Sequence, residues 1–275
     1  MSIRSLFSLV YRASRRRLFF TTLTSAALLP AFAAASAQTA TPANLKILHV
    51  AAAADLQPVL PTLAEAYQRA TGVRIVPSFG SSATLTQQIT NGDPQDVFLS
   101  ADMAHPQILA DAKLTDGAPV SYATGSLVLW ARNDSPAQPL SLASLSSERV
   151  THIAVANDAH APYGLAATQA LRSLGLSEQL KPKLVIGENI AQTAQLAESG
   201  NAQAALISLT IANSAHYRAL GSFVVVPAGT YQPLHQGAVV LQSSPQKQLA
   251  HDFLRWLTSA EVQASLHSYG LEPAS

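Results

Sequence analysis

Four short segments could hold an anion without a single basic side chain. They are Ala52-Ala53-Ala54-Asp55, Phe79-Gly80-Ser81-Ser82-Ala83-Thr84, Ala161-Pro162-Tyr163-Gly164 and Gly187-Glu188-Asn189-Ile190. Each sets small or polar residues between an apolar run and a helical pattern. Each therefore offers free backbone N–H groups at the positive end of a helix dipole. An oxyanion that meets several such ends needs no lysine or arginine, and none of the four segments contains one. Taken singly they are ordinary: Ser82 and Asn189 read as N-caps, and Asp55 as a cap or the neighbour of one. Tyr163, after a proline, reads as a surface aromatic as readily as a contact. Their joint occurrence and order carry the functional reading.

Other chemistries find less support. The chain has no cysteine, which excludes thiol catalysis, disulfides, cysteine-ligated zinc and a lipid-anchored N-terminal cysteine. No G-x-S-x-G elbow, phosphate loop or G-x-G-x-x-G fingerprint occurs. The eight histidines are scattered. His49 falls in what reads as a buried strand, and His216, His235 and His267 lie in polar settings. Asp96 and Asp102 flank an apolar run and could form an acid/base pair, but turn and cap duty explains them more simply. A ferric site would need paired tyrosines or a His/Tyr/carboxylate cluster, and none is assembled. The expectation is a binding protein, neither an enzyme nor the carrier of a cofactor.

These segments must be positioned by a sizeable core. The 275 residues are 48% hydrophobic and only 12% charged, enough for two lobes of ordinary size. Arg4, Arg12, Arg15, Arg16 and Arg17 precede an uncharged stretch, Leu18 to Ala35, and then the small-residue site Ala35-Ser36-Ala37. That order reads as a signal peptide over residues 1–37, which places the mature protein in the periplasm. A single membrane anchor is the alternative, weakened by Thr21, Thr22, Thr24, Ser25 and Pro30. Ser14-Arg15-Arg16-Arg17-Leu18-Phe19 also approximates a twin-arginine signal. Losing five arginines and no acid takes the formal charge from +1 to −4, a poor basis for nucleic-acid binding.

From Leu45 onward strands alternate with helices. The near-continuous apolar run Leu45–Ala54 predicts a strand buried on both faces, and Gln57–Ala70 a helix ended by Gly72. Further strands are expected at 73–77, 97–99, 126–131, 152–156, 183–186, 204–208, 223–226 and 236–241. Helices are expected at 82–90, 164–174, 189–198, 246–257 and 260–267. This alternation predicts an α/β fold built on parallel sheets. The last strand and helices read as material that returns to complete the first lobe.

Longer stretches resemble a known family. AAADL (52–56), SFGSSATLTQQITNGDPQDVFLSAD (78–102), APYGLAATQAL (161–171) and GENIAQTAQLAESGNAQAALISL (187–209) are similar to the periplasmic molybdate-binding proteins of bacterial ABC transporters. The likeness runs from about Leu45 to Gly270. It implies a two-lobed type II periplasmic binding protein, each lobe a mainly parallel sheet flanked by helices, with the ligand cleft between lobes. The implied divisions are residues 38–124 for the first part of lobe I, 125–235 for lobe II and 236–275 for the return to lobe I. It also implies a monomer that captures molybdate or tungstate and delivers it to a membrane permease driven by a cytoplasmic ATPase. The ligand would be a desolvated tetrahedral dianion, with molybdenum present only as the centre of that oxyanion. A sister protein for sulfate or an organic anion is the alternative.

Carried over position by position, the resemblance implies contacts at Asp55, Ser82, Tyr163, Ile190 and Ser208. Ser82 keeps the family's serine, and Tyr163 and Ile190 would act through their N–H groups. Asp55 stands where relatives carry serine, and Ser208 where they carry a tyrosine hydroxyl. An ionised Asp55 about 4 Å from a dianion would repel it by roughly 8 kcal/mol at an effective dielectric near 20. The expected arrangement therefore turns the Asp55 side chain away to cap or brace the helix start and offers its backbone N–H to the ligand. A protonated Asp55 donating an O–H is the alternative.

Overall fold

The computed structural model describes residues 46–274. The signal segment read over residues 1–37 lies outside the described residues.

Two sheets carry the fold. The first has strand order β11-β4-β10-β3-β1-β2. Its strands are β1 (Ile47–Ala53), β2 (Arg74–Gly80), β3 (Val97–Ser100), β4 (Val120–Gly125), β10 (Leu234–Val240) and β11 (Leu271–Pro273). The second has order β7-β6-β8-β5-β9, built from β5 (Leu127–Arg132), β6 (Ile153–Ala156), β7 (Leu184–Gly187), β8 (Ala204–Ser208) and β9 (Gly221–Val225). The chain passes from the first sheet to the second between Gly125 and Leu127, and back between Val225 and Leu234.

The sheets are mixed. β1 pairs in parallel with β2 and β3, and β6 with β7 and β8. Those are the strands joined through helices, which parallel pairing requires. The strands next to the crossings, β4 and β10 in one sheet and β5 and β9 in the other, pair antiparallel. Only Ser126 separates β4 from β5, so the crossing itself sets their direction.

The helices of the first lobe are α1 (Leu60–Thr71), α2 (Ser82–Thr90) and α3 (Ala104–Asp111). Those of the second are α4 (Pro162–Ser173), α5 (Ser177–Leu180), α6 (Ile190–Glu198), α7 (Leu209–Ala212) and α8 (Ala215–Leu220). α9 (Lys247–Leu257) and α10 (Ala260–Ser265) follow the return crossing. Gly72 closes α1 in the left-handed conformation at φ 74°, its N–H donating to the Gln68 carbonyl. α9 buries Ala250, Phe253, Leu254 and Leu257, a one-faced helical spacing. Phe253 and Trp256 meet Tyr67 of α1 at ring-centroid distances of 5.1 and 5.0 Å. This aromatic contact ties the return segment to lobe I. The lobe II core, around Trp130, Leu129 and Ile207, continues across the cleft onto Ala53, Ala54 and Ala101 of lobe I.

Candidate functional site

The first lobe presents two helix starts to the cleft and the second lobe two more. A 3₁₀ turn over Ala54–Leu56 follows β1 directly, and α2 follows β2 after Ser81 alone. In the second lobe α4 follows β6, and α6 follows β7. Strand-to-helix turns gather at the carboxyl edge of a parallel sheet, so the four meet. They enclose a small cavity lined by Ala53, Ala54, Asp55, Gly80, Ser81, Ser82, Ala101, Ala161, Pro162, Tyr163, Asn189 and Ile190, with no lysine or arginine among them. About 10 Å³ of it is open to the centre of a water-sized sphere. That is room for about one water-sized group, too little for an organic chain.

Each helix start prepares its donors differently. At α2 the cap is Ser81, whose Oγ accepts from the Thr84 N–H at 3.2 Å. Ser82 is thereby released from cap duty. Its buried Oγ accepts from the Ala101 N–H at 3.1 Å, which leaves the hydroxyl proton to be donated elsewhere. At α4 Pro162 occupies the first helical position. Proline has no N–H, so the first donor α4 offers is that of Tyr163. At α6 the Asn189 side chain caps the N–H groups of Ala191 and Gln192, both at 3.0 Å. The N–H of Ile190, one residue earlier, has no partner within its own helix.

Asp55 departs from the expected arrangement. The cap position of the turn is held by Ala53, and Asp55 lies inside the turn. It is fully buried on the cavity wall, where Oδ2 accepts from Gln236 Nε2 at 2.6 Å. Oδ1 has no partner. Burial outweighs the Gln236 bond and pushes the carboxyl from 3.8 up to about 7. The outward-turned cap is thus corrected: the 3₁₀ turn is held instead through the Asp55 carbonyl, which accepts from Thr210 Oγ1 at 2.7 Å.

Ser208 is corrected as well. It is fully buried but absent from the cavity wall. Its Oγ caps α7 by accepting from the Ile211 N–H at 3.4 Å and lies 2.8 Å from Thr210 Oγ1. It reaches the site only through Thr210. Asp55, Ser82, Tyr163 and Ile190 do line one cavity.

Sequence reasoning missed two residues here. Gln236 sits in β10 with its side chain fully buried, and its Nε2 also reaches the Tyr163 hydroxyl at 3.3 Å. The β4–β10 register shifts between Gln236 and Gly237, a bulge of the kind that re-aims a side chain. A glutamine at the head of the apolar run Gly237–Leu241 was the available signal. Thr210, whose bond to Asp55 crosses from lobe II to lobe I, gave no such signal. Another cross-lobe bond runs from the Ala83 N–H to the His160 carbonyl at 3.1 Å. Gly125 accommodates Tyr163, because a Cβ there would overlap the tyrosine hydroxyl.

The remaining candidates lie elsewhere. His49 is exposed on β1, contrary to its buried reading, since only its N–H turns inward to Asp96. Asp102 accepts from the N–H and ring of His105, a turn role. No group of three or more metal-ligating side chains occurs among the described residues.

Comparison with known proteins gives one consistent result. Residues 48–272 match the family model described as bacterial extracellular solute-binding protein. A molybdate-binding protein of Azotobacter vinelandii is 34% identical over 82% of this chain and 90% of its own. One of Rhodobacter capsulatus is 33% identical over 73% and 78%. The solved periplasmic molybdate-binding protein of Azotobacter vinelandii superimposes with a TM-score of 0.77 at 32% identity, over 83% of this chain and all of that one.

Proposed function

The chain belongs to the bacterial extracellular solute-binding protein family, and on that premise we propose that it captures molybdate, or its near-twin tungstate, between its lobes. The observation that carries this reading is the cavity wall itself: four helix starts converge on one small space, with no cation among its residues. Each of the three α-helical starts is equivalent to roughly half a positive charge. Together with the Ser82 hydroxyl they suit a desolvated dianion, whose oxygens would take the N–H groups of Tyr163 and Ile190 and the backbone N–H of Asp55. No residue ligates the metal; every contact is to oxygen.

Contacts from both lobes to one anion favour the closed arrangement of the cleft, so binding and closure are linked. The closed form is then the one read by a membrane permease with its cytoplasmic ATPase, from the periplasmic side. The similarity to molybdate-binding relatives and the extracellular family support that setting. Nothing in the cavity resembles a nucleophile with its base, which favours binding over catalysis. Calorimetry with molybdate, tungstate, sulfate and phosphate in turn tests the reading. Tight binding of the first two and none of the smaller sulfate is expected; preference for sulfate or for an organic anion would overturn it.

A further inference from the structure

Asp55 puts an acid where the proposed ligand is an anion, and no cationic side chain lines the space to pair with it. Gln236 from β10 neutralises nothing and binds one carboxyl oxygen only. Tyr163 from α4 and Tyr122 from β4 are the titratable groups facing it; burial raises both hydroxyls well above their usual range, so both stay neutral, and hydrogen bonding from the Tyr163 hydroxyl favours the charged carboxyl less than burial disfavours it. Thr210 from α7 bonds the Asp55 backbone, and α2 and α6 contribute Ser81, Ser82, Asn189 and Ile190 to the same wall. Among the described residues, no lysine, arginine or histidine lines this space.

We propose that Asp55 enters the complex as the neutral carboxylic acid, with Oδ2 accepting from Gln236 and Oδ1–H donating to one oxygen of the bound oxoanion, so that capture of each anion takes up one proton from solution. This rests on the oxoanion reading given above. Two geometric facts carry it: the carboxyl is wholly buried on the cavity wall, and Oδ1 alone of its two oxygens lacks a partner. The proton balance is simple. Above the carboxyl's own titration the free protein carries a carboxylate, and a proton from solvent joins Oδ1 as the anion enters. Below it the proton is already in place and none is taken up. Its elevated titration near 7 puts the changeover within the ordinary working range. A site built this way selects oxoanions that accept a hydrogen bond at that oxygen, and it loosens as the medium turns alkaline.

Calorimetry with molybdate, repeated in buffers of different ionisation enthalpy, reads the proton directly. Molybdate stays a dianion from pH 6 to 9, so any proton taken up belongs to the protein. Uptake should approach one proton per anion at pH 9 and fall to about a tenth of one at pH 6. Affinity should drop about 100-fold from pH 6 to pH 9, tenfold per unit above the carboxyl's titration near 7. Asp55→Asn, which keeps a donor but cannot titrate, should bind with a flat profile and no uptake, and should exceed the parent at pH 9. Molybdate binding that is flat in the parent and takes up no proton would overturn the proposal and leave the functional reading intact. Uptake that persists in Asp55→Asn would also overturn it. Failure to bind any oxoanion at any pH would instead remove the functional reading, and this inference with it.

Discussion

Two buried aspartates stand at opposite edges of the same sheet. Asp55 follows the carboxyl end of β1, and Asp96 precedes the amino end of β3, the parallel neighbour of β1. They are 0% and 4% exposed. Asp96 Oδ2 accepts from the His49 N–H at 2.8 Å and Oδ1 accepts from the Ser244 hydroxyl. Its own N–H and carbonyl continue the pairing with His49 and Leu241. Asp55 has one partner, an orphaned oxygen and a carboxyl pushed up to about 7. Burial alone therefore does not mark a functional acid. The number of donors left for the charged form does. At the amino edge those donors serve the fold; at the carboxyl edge the helix starts direct theirs into the cavity.

The largest effect should come from removing the titration at Asp55. A carboxyl at about 7 in the folded chain and 3.8 in the unfolded one holds its proton more tightly when folded. Its contribution is fully present below about pH 4 and is lost as pH rises through 7. The full difference is on the order of 4 kcal/mol. Asp55→Asn should thus be more stable than the parent at pH 8 and nearly equal to it at pH 4, read from urea unfolding without ligand. Equal stability at both pH values would dissolve the contrast between the two acids.

Asp96→Ala should do the opposite. It strands the His49 N–H and the Ser244 hydroxyl in a buried setting, at roughly 3 kcal/mol of lost stability. For a domain of this size that is a fall of about 6–12 °C in Tm. The affinity of the folded protein for molybdate should not change. An affinity loss larger than the stability loss would mean that the two edges communicate.

Much of this was legible in the sequence, and the exceptions share a cause. α2 occupies the expected span because serines open it and Asn91-Gly92 stop it, all local signals. β4 was missed because its run Val-Ser-Tyr-Ala-Thr-Gly is polar in part and merges into β5 across Ser126 alone. α3 was missed because Pro106 stands in its first turn. At the site, Ser82 could be told from a cap only by the Ala101 N–H, nineteen residues on. Ser208 holds the aligned position, yet its hydroxyl turns to its own helix. Gln236 reaches Asp55 across 181 residues, a pairing that no window of sequence contains. Local chemistry was readable; which donor meets which acceptor across the crossings was not.

The smallest effects separate neutral donors from cations. Ser82→Ala removes one hydrogen bond to a charged ligand, about 1.5–3 kcal/mol, or roughly 10- to 150-fold in molybdate affinity. The fold should tolerate it, since the helix cap is Ser81 and only the Ala101 N–H loses a partner. Lys183 is the fitting counterpart. Its ammonium donates to the carbonyls of Leu145 and Ser147 at 3.1 and 2.8 Å, wholly within lobe II and outside the cavity wall. An anion in the cleft would sense that charge only through bulk screening, which removes most of it beyond about 10 Å at 0.1 M salt. Lys183→Ala should therefore lower the stability of lobe II slightly and leave affinity within about twofold, with no added salt dependence. A lysine variant that loses binding while Ser82→Ala keeps it would move the site away from the helix starts.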